Sequence, residues 1–294
     1  MIISTPFAHL ICLGLVAGDL IVRAWRIQWY VRGLGHPISF WDAFVANAFG
    51  EAACAVTPLR LGGEPARLAG LLRTKVPAPA ALVAISVEIL AAWPIVVGMG
   101  IWLGWRYAPE WWEQAGPALT RSARHSVEWM VVIGLLTLAA WILVRRRFPR
   151  HQSRLRRSAR RMLVYWRRTP SWAVLASLPC TAGNVVARVA ILPVLVLTLP
   201  DHPPLGPVLL GSFALLYSQL ILPTPSGVGA VELGFLAGAA GDLGDDAGRL
   251  LVVWRLYTSG IGVLLGAILA VRYFGWESVR KMLKPEPRLP GPTL

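Results

Sequence analysis

The strongest constraint in this chain is a set of long apolar runs that are almost free of charge. Five of them, at 5–22, 78–105, 127–144, 171–199 and 250–271, match or approach the ~20 helical residues needed to cross a hydrocarbon core. Apolar residues form 55% of the 294 and charged residues only 15%, well under the roughly 25% of soluble domains. A soluble protein of this size presents far more polar surface to water. The sequence therefore predicts an all-α, polytopic membrane helix bundle and excludes a disordered chain, a disulfide scaffold and an ordinary cytosolic enzyme. Cys12, Cys54 and Cys180 lie in apolar stretches without metal-ligand spacing and read as small buried hydrophobes. The first run lacks a preceding basic segment, so it reads as a retained span rather than a cleaved signal.

Two further regions are apolar but broken. Residues 38–57 stop at Thr57-Pro58 and resume as a short helix over 64–73. Residues 206–222 stop at Pro223-Thr224-Pro225-Ser226-Gly227 and resume over 230–241. The resumed pieces are only ~15–18 Å long at 1.5 Å per residue, too short to cross. Each pair reads as a re-entrant hairpin with a broken tip.

The charge distribution fits this reading. If both hairpins return to their own side, Arg23, Arg26, Arg32, Arg73, Lys75, the stretch 145–168 and the C-terminal tail share one face. The stretch RRRFPRHQSRLRRSARRMLVYWRR is dense in arginine and holds no acid. The other face receives Glu110, Glu113, Asp201, Asp242, Asp245 and Asp246, with Arg106, Arg121 and Arg124 as its bases. By the positive-inside rule this predicts an inner (plasma) membrane protein with its N-terminus outside and its C-terminus cytoplasmic. The net charge of +14 is thereby assigned to cytoplasmic loops, with no nucleic-acid partner. Trp111 and Trp112 fall in the outer 106–126 segment, as interfacial anchors do. Residues 1–275 form one membrane domain: a first half to about 105, a connector span at 127–144, a basic loop at 145–168 and a second half from about 170. A tail follows at 276–294.

The two tips resemble each other. TPLRLGGEPARLAGLL (57–72) and TPSGVGAVELGFLAG (224–238) share Thr-Pro, closely spaced glycines, a glutamate and a small-residue helix. Entering from opposite faces and each flanked by spans, they predict an inverted repeat. Such repeats set broken helices around a midplane substrate site.

Candidate site residues follow from this placement. In the first tip, Gly62 and Gly63 permit unusual backbone angles, and Glu64 with Pro65 suits the opening of a helix. With Arg60 and Arg67, that tip reads either as a phosphate cradle or as a structural cap with Arg67 reaching the headgroups. In the second tip, Pro225, Ser226, Gly227, Gly229 and Glu232 read either as a ligand-approach loop or as a tight turn capped by Glu232. The spans and first hairpin add Glu51, Glu88, Asn184, Arg188 and Arg255, with Asn184 and Arg188 four apart on one helical face. Charges at such depth are costly, so each is expected to face a partner or a wet cavity. Glu51, Glu64, Glu88 and Glu232 against Arg60, Arg67, Arg188 and Arg255 predict balanced pairs. Asp19 reads as a structural partner of Arg23. The stretch 145–168 reads chiefly as a determinant of topology that also attracts anionic lipid. Motifs for metal binding, nucleophilic catalysis and nucleotide hydrolysis are missing, so no cofactor, metal or catalytic residue is expected.

Residues from about 23 to 240 resemble the transmembrane region of lysylphosphatidylglycerol synthase, also called flippase-like proteins. The resemblance rests on RAWRIQWYVRGLG, on TPLRLGGEPARLAGLLR and on LPTPSGVGAVELG; the middle matches mainly in hydropathy. It implies a helical bundle that moves lipid headgroups between leaflets, with Arg60, Gly62, Gly63, Glu64, Arg67, Gly227, Gly229 and Glu232 at the translocation site. Members fused to a cytoplasmic aminoacyl-transfer domain make and flip lysyl-lipid. This chain ends at Leu294 without such a domain, so synthase activity is not carried over. The expected function is transport of a phospholipid or polyprenyl-linked headgroup. Its partners are membrane lipids, with a lipid-modifying enzyme encoded separately. The alternatives are a membrane-embedded enzyme or accessory subunit acting on a lipid-linked substrate, and a scaffold recruiting partners through 145–168.

Overall fold

Lipid offers no hydrogen bonds, so the apolar runs must satisfy their backbone groups internally, which helices do. A computed structural model describes residues 3–57, 59–147, 152–220, 227–239, 241 and 243–275, excluding the side chains of 112, 114–159 and 274. Pro225, Ser226, Asp242 and the tail 276–294 lie outside the described residues. Helix α1 (Thr5–Gly33) opens with proline in its first turn. α2 (Phe40–Val56) is capped by Ser39, whose hydroxyl accepts the Asp42 N–H at 3.0 Å. Then follow α3 (Gly63–Arg73), α4 (Ala78–Arg147), α5 (Gln152–Arg168), α6 (Ser171–Val196) and α7 (Leu205–Ser218). α8 (Ala230–Gly234) runs into a π-helical turn, Phe235–Ala239. α9 (Ala247–Arg255) is joined to α10 (Ile261–Phe274) by a second π-helical turn, Leu256–Gly260.

Four stretches are long and apolar enough to cross a membrane: Thr5–Gly33, Ala78–Trp111, Ser171–Val196 and Gly244–Tyr273. They coincide with four of the five expected runs. The fifth, 127–144, is helical, and its side chains lie outside the described ones. The 106–126 segment, placed on the outer face from its charges, is helical. Pro109 and Gly116-Pro117 are its only strong breakers, and most of the remainder favours helix. α4 is nonetheless no straight rod of ~105 Å. Trp111 donates to the Ala239 carbonyl at 2.8 Å, whereas Tyr165 returns beside His36, its hydroxyl 3.2 Å from Nε2. A helix as short as α5, ~25 Å, cannot span that difference, so the path turns back within 112–147. Trp111 is thus tied to the protein backbone instead of serving simply as an interfacial anchor.

Contacts order the helices about two ends. α1 and α6 are antiparallel: the Ile3 N–H donates to the Leu197 carbonyl at 3.1 Å, and the Tyr30 hydroxyl lies 2.6 Å from Ser177 Oγ. α4 and α7 are antiparallel as well, with Gly100 against Phe213 and Gly206 against Tyr107. Trp41 donates to the Tyr273 hydroxyl at 2.6 Å, which sets the end of α10 beside the start of α2. The pair α2–α3 therefore begins and ends at the same end as Gly33 and Ala78. The pair α7–α8 begins and ends at the opposite end, with Thr5, Val196 and Trp111. Arg60 of the first pair donates to Gln219 Oε1 at 3.2 Å, just past α7, so the inner ends of the pairs meet.

Close helix approach depends on small residues, because lipid tails are as apolar as the side chains and give no driving force between helices. Gly70 of α3 lies against Ala46 of α2, where an added Cβ would stand 2.7 Å from Ala46 Cα. Gly266 of α10 lies directly over the Ala48 carbonyl. Gly98 on α4 faces open space. Gly70→Leu should therefore destabilise the protein by about 1–3 kcal/mol through overpacking. Gly98→Leu should leave the unfolding midpoint in mixed micelles within error of the parent.

Candidate functional site

The first tip is a tight turn made from its own polar groups. Thr57 Oγ1 donates to the Ala53 carbonyl at 2.8 Å and accepts the Gly62 N–H at 2.9 Å. Leu59 and Arg60 have φ of 52° and 56°, a left-handed geometry that costs a residue with a Cβ about 1–2 kcal/mol. Sequence reasoning placed the unusual angles at Gly62 and Gly63, and this is corrected: Gly62 is right-handed, with φ −73°. What the glycines provide is space. A Cβ at Gly62 would meet Thr57 Cγ2 at 2.6 Å, and one at Gly63 would collide with Cys54 Sγ. The strained Arg60 is held by its side chain, which donates to Glu51 Oε2 at 3.0 Å and to Gln219.

Around this tip, two buried carboxylates are each shared by two arginines. Glu51 of α2 pairs with Arg23 of α1 and with Arg60. Glu88 of α4 pairs with Arg67 of α3 and with Arg26 of α1, the latter at 3.7 Å. Arg67 also donates to both oxygens of Glu64, at 3.3 and 3.1 Å. Arg23 meets Asp19 at 3.8 Å, the expected i, i+4 partner, but its closer partner is Glu51. Counted at 1.5 Å per residue from the end marked by Gly33, Phe40 and Ala78, Arg23, Glu51 and Glu88 all stand ~15–17 Å deep. Arg23 and Arg26, assigned from sequence to the cytoplasmic face, are thus interior residues. Charge counting along a chain cannot tell a loop arginine from one whose helix carries it back among acids.

The second tip is organised differently. Gly227 and Gly229 have φ of 70° and 87°, the left-handed values that their lack of a Cβ allows. Glu232 accepts the Gly229 N–H at 2.6 Å and the Arg255 Nε–H at 2.7 Å. It is therefore both the cap and the partner of Arg255. Arg188 of α6 donates to the Thr258 carbonyl at 2.8 Å, inside the π-helical turn. Such turns recur where a helix is locally reworked for function.

A cavity of about 520 Å³ lies between the first tip, α1, α4, α6 and the end of α7, within the size range of small-molecule sites. Its described lining includes Arg23, Arg26, Arg60, Arg67 and Arg188 against Glu51, Glu64 and Glu88, a formal excess of two positive charges. Gly63 and Asn184 also line it, as sequence reasoning placed them. Gly62, Gly227, Gly229, Glu232 and Arg255 do not. The expected balance of four acids and four bases is corrected accordingly: one pair, Glu232–Arg255, stands apart, and Arg23 and Arg26 join the rest. Gln219, Tyr217 and Thr181 were missed from sequence: the first two stand at the end of an apolar run, and Thr181 can satisfy its hydroxyl on its own helix, as it does on the Ser177 carbonyl at 2.7 Å. Among the described residues, no group of three His, Cys, Asp or Glu is placed to hold a metal ion.

The shared carboxylates should behave as units. Arg67→Met leaves Glu88 short of its main partner and should destabilise the protein by about 3–5 kcal/mol. Adding Glu88→Gln to that variant should restore part of the loss. A double-mutant cycle on unfolding in mixed micelles measures both, and purely additive effects would contradict the pairing.

No curated protein and no solved structure matches the chain. The family described as lysylphosphatidylglycerol synthase TM region matches over residues 3–266 of 294, which takes in both tips and every residue of the cavity wall named above. With spans, tips and an internal charged cavity in one continuous match, the chain belongs to the lysylphosphatidylglycerol synthase TM region family, membrane proteins that act on lipids.

Proposed function

We propose that the protein is a flippase-like transporter that carries a phospholipid or polyprenyl-linked headgroup between leaflets. The observation that carries this reading is the cavity itself: an arginine-rich chamber ~15–17 Å in from the end of the bundle, where two helix pairs that enter from opposite ends meet. The wall also has an apolar rim. Leu61, Trp93 and Leu220 line the cavity, yet are 68%, 49% and 45% exposed. An apolar opening at mid-height faces lipid tails, so a headgroup can enter while its chains stay outside.

In this reading α2–α3 and α7–α8 are re-entrant hairpins of an inverted repeat. Rocking one half against the other exposes the chamber to each side in turn. Arg60 and Arg67 engage the lipid phosphate, and Arg188 receives it from the other half. The work is transport rather than catalysis, driven by a gradient or by exchange, and the lipid is supplied by an enzyme encoded separately. The inner membrane is the expected location, with the N-terminus outside and the basic 145–168 stretch in the cytoplasm.

The test is purified protein in liposomes carrying a headgroup-labelled phospholipid, with leaflet exposure followed by a membrane-impermeant quencher. Transbilayer movement should exceed that of protein-free liposomes at least tenfold. Arg60→Ala should remove most of it, and Gly98→Leu should retain it. Movement equal to that in empty liposomes, or indifference to Arg60→Ala, would count against the proposal.

A further inference from the structure

We infer that the cavity selects a net-anionic, hydroxyl-bearing headgroup and discriminates against one carrying an ammonium group. The inference rests on the transport reading above and concerns which lipid that site accepts. It comes from asking which cavity groups still have hydrogen-bonding capacity.

A cationic headgroup needs a buried carboxylate with charge to spare, and neither Glu51 nor Glu88 offers one. Glu51 is neutralised by Arg23 and Arg60, and Glu88 by Arg26 and Arg67. Glu64, the third acid, accepts from Arg67 through both oxygens but shares that guanidinium with Glu88, and its side chain is 46% exposed, so it lies at the edge of the wall.

Donors, by contrast, are in surplus. Among the described residues Arg188 forms no ion pair, although it lies within Coulombic reach of Glu51; the hydrogen bond it makes goes to a neutral carbonyl, that of Thr258. The nearby Asn184 Nδ2, one helical turn earlier on the same face, is buried with no partner. Gln219 is 2% exposed, and its Oε1 is taken by Arg60, which fixes the amide orientation and leaves the Nε2 group without an acceptor. The Nε–H groups of Arg26 and Arg67 are buried and unpartnered as well.

Buried donors without acceptors cost about 1–3 kcal/mol each, so a ligand rich in acceptor oxygens is favoured there. A phosphodiester supplies two anionic oxygens for Arg188, and glycerol or sugar hydroxyls supply neutral acceptors for Asn184 and Gln219. An added ammonium would meet five guanidinium groups in a space of low dielectric, where like charges repel strongly.

Native mass spectrometry of the full chain in detergent can test this with three probes: short-chain phosphatidylglycerol, its lysyl ester and inorganic phosphate. Phosphatidylglycerol should bind at least tenfold tighter than the lysyl ester. Arg188→Gln should weaken it at least tenfold and Asn184→Ala severalfold, while Arg188→Lys, which keeps the charge, should keep most of the binding. Equal or tighter binding of the lysyl ester would overturn the headgroup choice while leaving lipid handling intact. Unchanged binding in both the Gln and Ala variants would equally overturn it. Inorganic phosphate that displaces the lipid at equal concentration would identify a free oxyanion as the ligand, and that result overturns this inference and the transport reading together.

Discussion

Two glutamates, each held between two arginines from different elements, set how the first half of this bundle packs. A lone carboxylate at the depth of Glu51 or Glu88 would be prohibitive in a low-dielectric interior. Its arginines must therefore arrive from whichever helices can reach, and here they come from α1, the first tip and α3. The pairs fix the rotation of α1 against α2 and α4, since a helix turned by half a revolution would bury an uncompensated charge. They also hold Arg60 in a left-handed backbone conformation that an arginine would not otherwise keep.

The second half reaches the same chamber by other means. Its one cavity-lining arginine, Arg188, rests on a backbone carbonyl in a π-helical turn, and Glu232 with Arg255 forms a separate pair away from the wall. The chamber is thus asymmetric. One side is a dense lattice of compensated charge, and the other offers amide donors and a guanidinium that forms no ion pair among the described residues. Sequence similarity between the tips hides this difference, because the glycines and the glutamate are shared while their partners are not. The glycines differ in role too: Gly227 and Gly229 supply backbone angles, whereas Gly62 and Gly63 supply room beside Thr57 and Cys54.

Much of this was legible in the chain. Four crossing-length helices coincide with apolar runs, and α2 ends at Val56, just before the expected break at Thr57. Glu51, Glu88, Asn184 and Arg188 stood out because polar groups in apolar runs need a reason. Gln219 and Tyr217 did not, since a neutral side chain near a span end has no such cost. Arg23 and Arg26 misled in the opposite sense. Close to Arg32 they look like part of a basic flank, and only the fold of α2 and α4 against α1 supplies the acids that make them interior.

An all-helical membrane chain was legible in the sequence itself, because twenty apolar residues in a row have one low-cost environment and one low-cost backbone state. The same holds for the end of α2, where proline removes the donor that a helix needs. Which charges pair, which donors are left over and whether a glycine serves angle or space were decided only in three dimensions. Those outcomes depend on which side chains from distant segments come within a few ångströms, and no local rule along the chain carries that information.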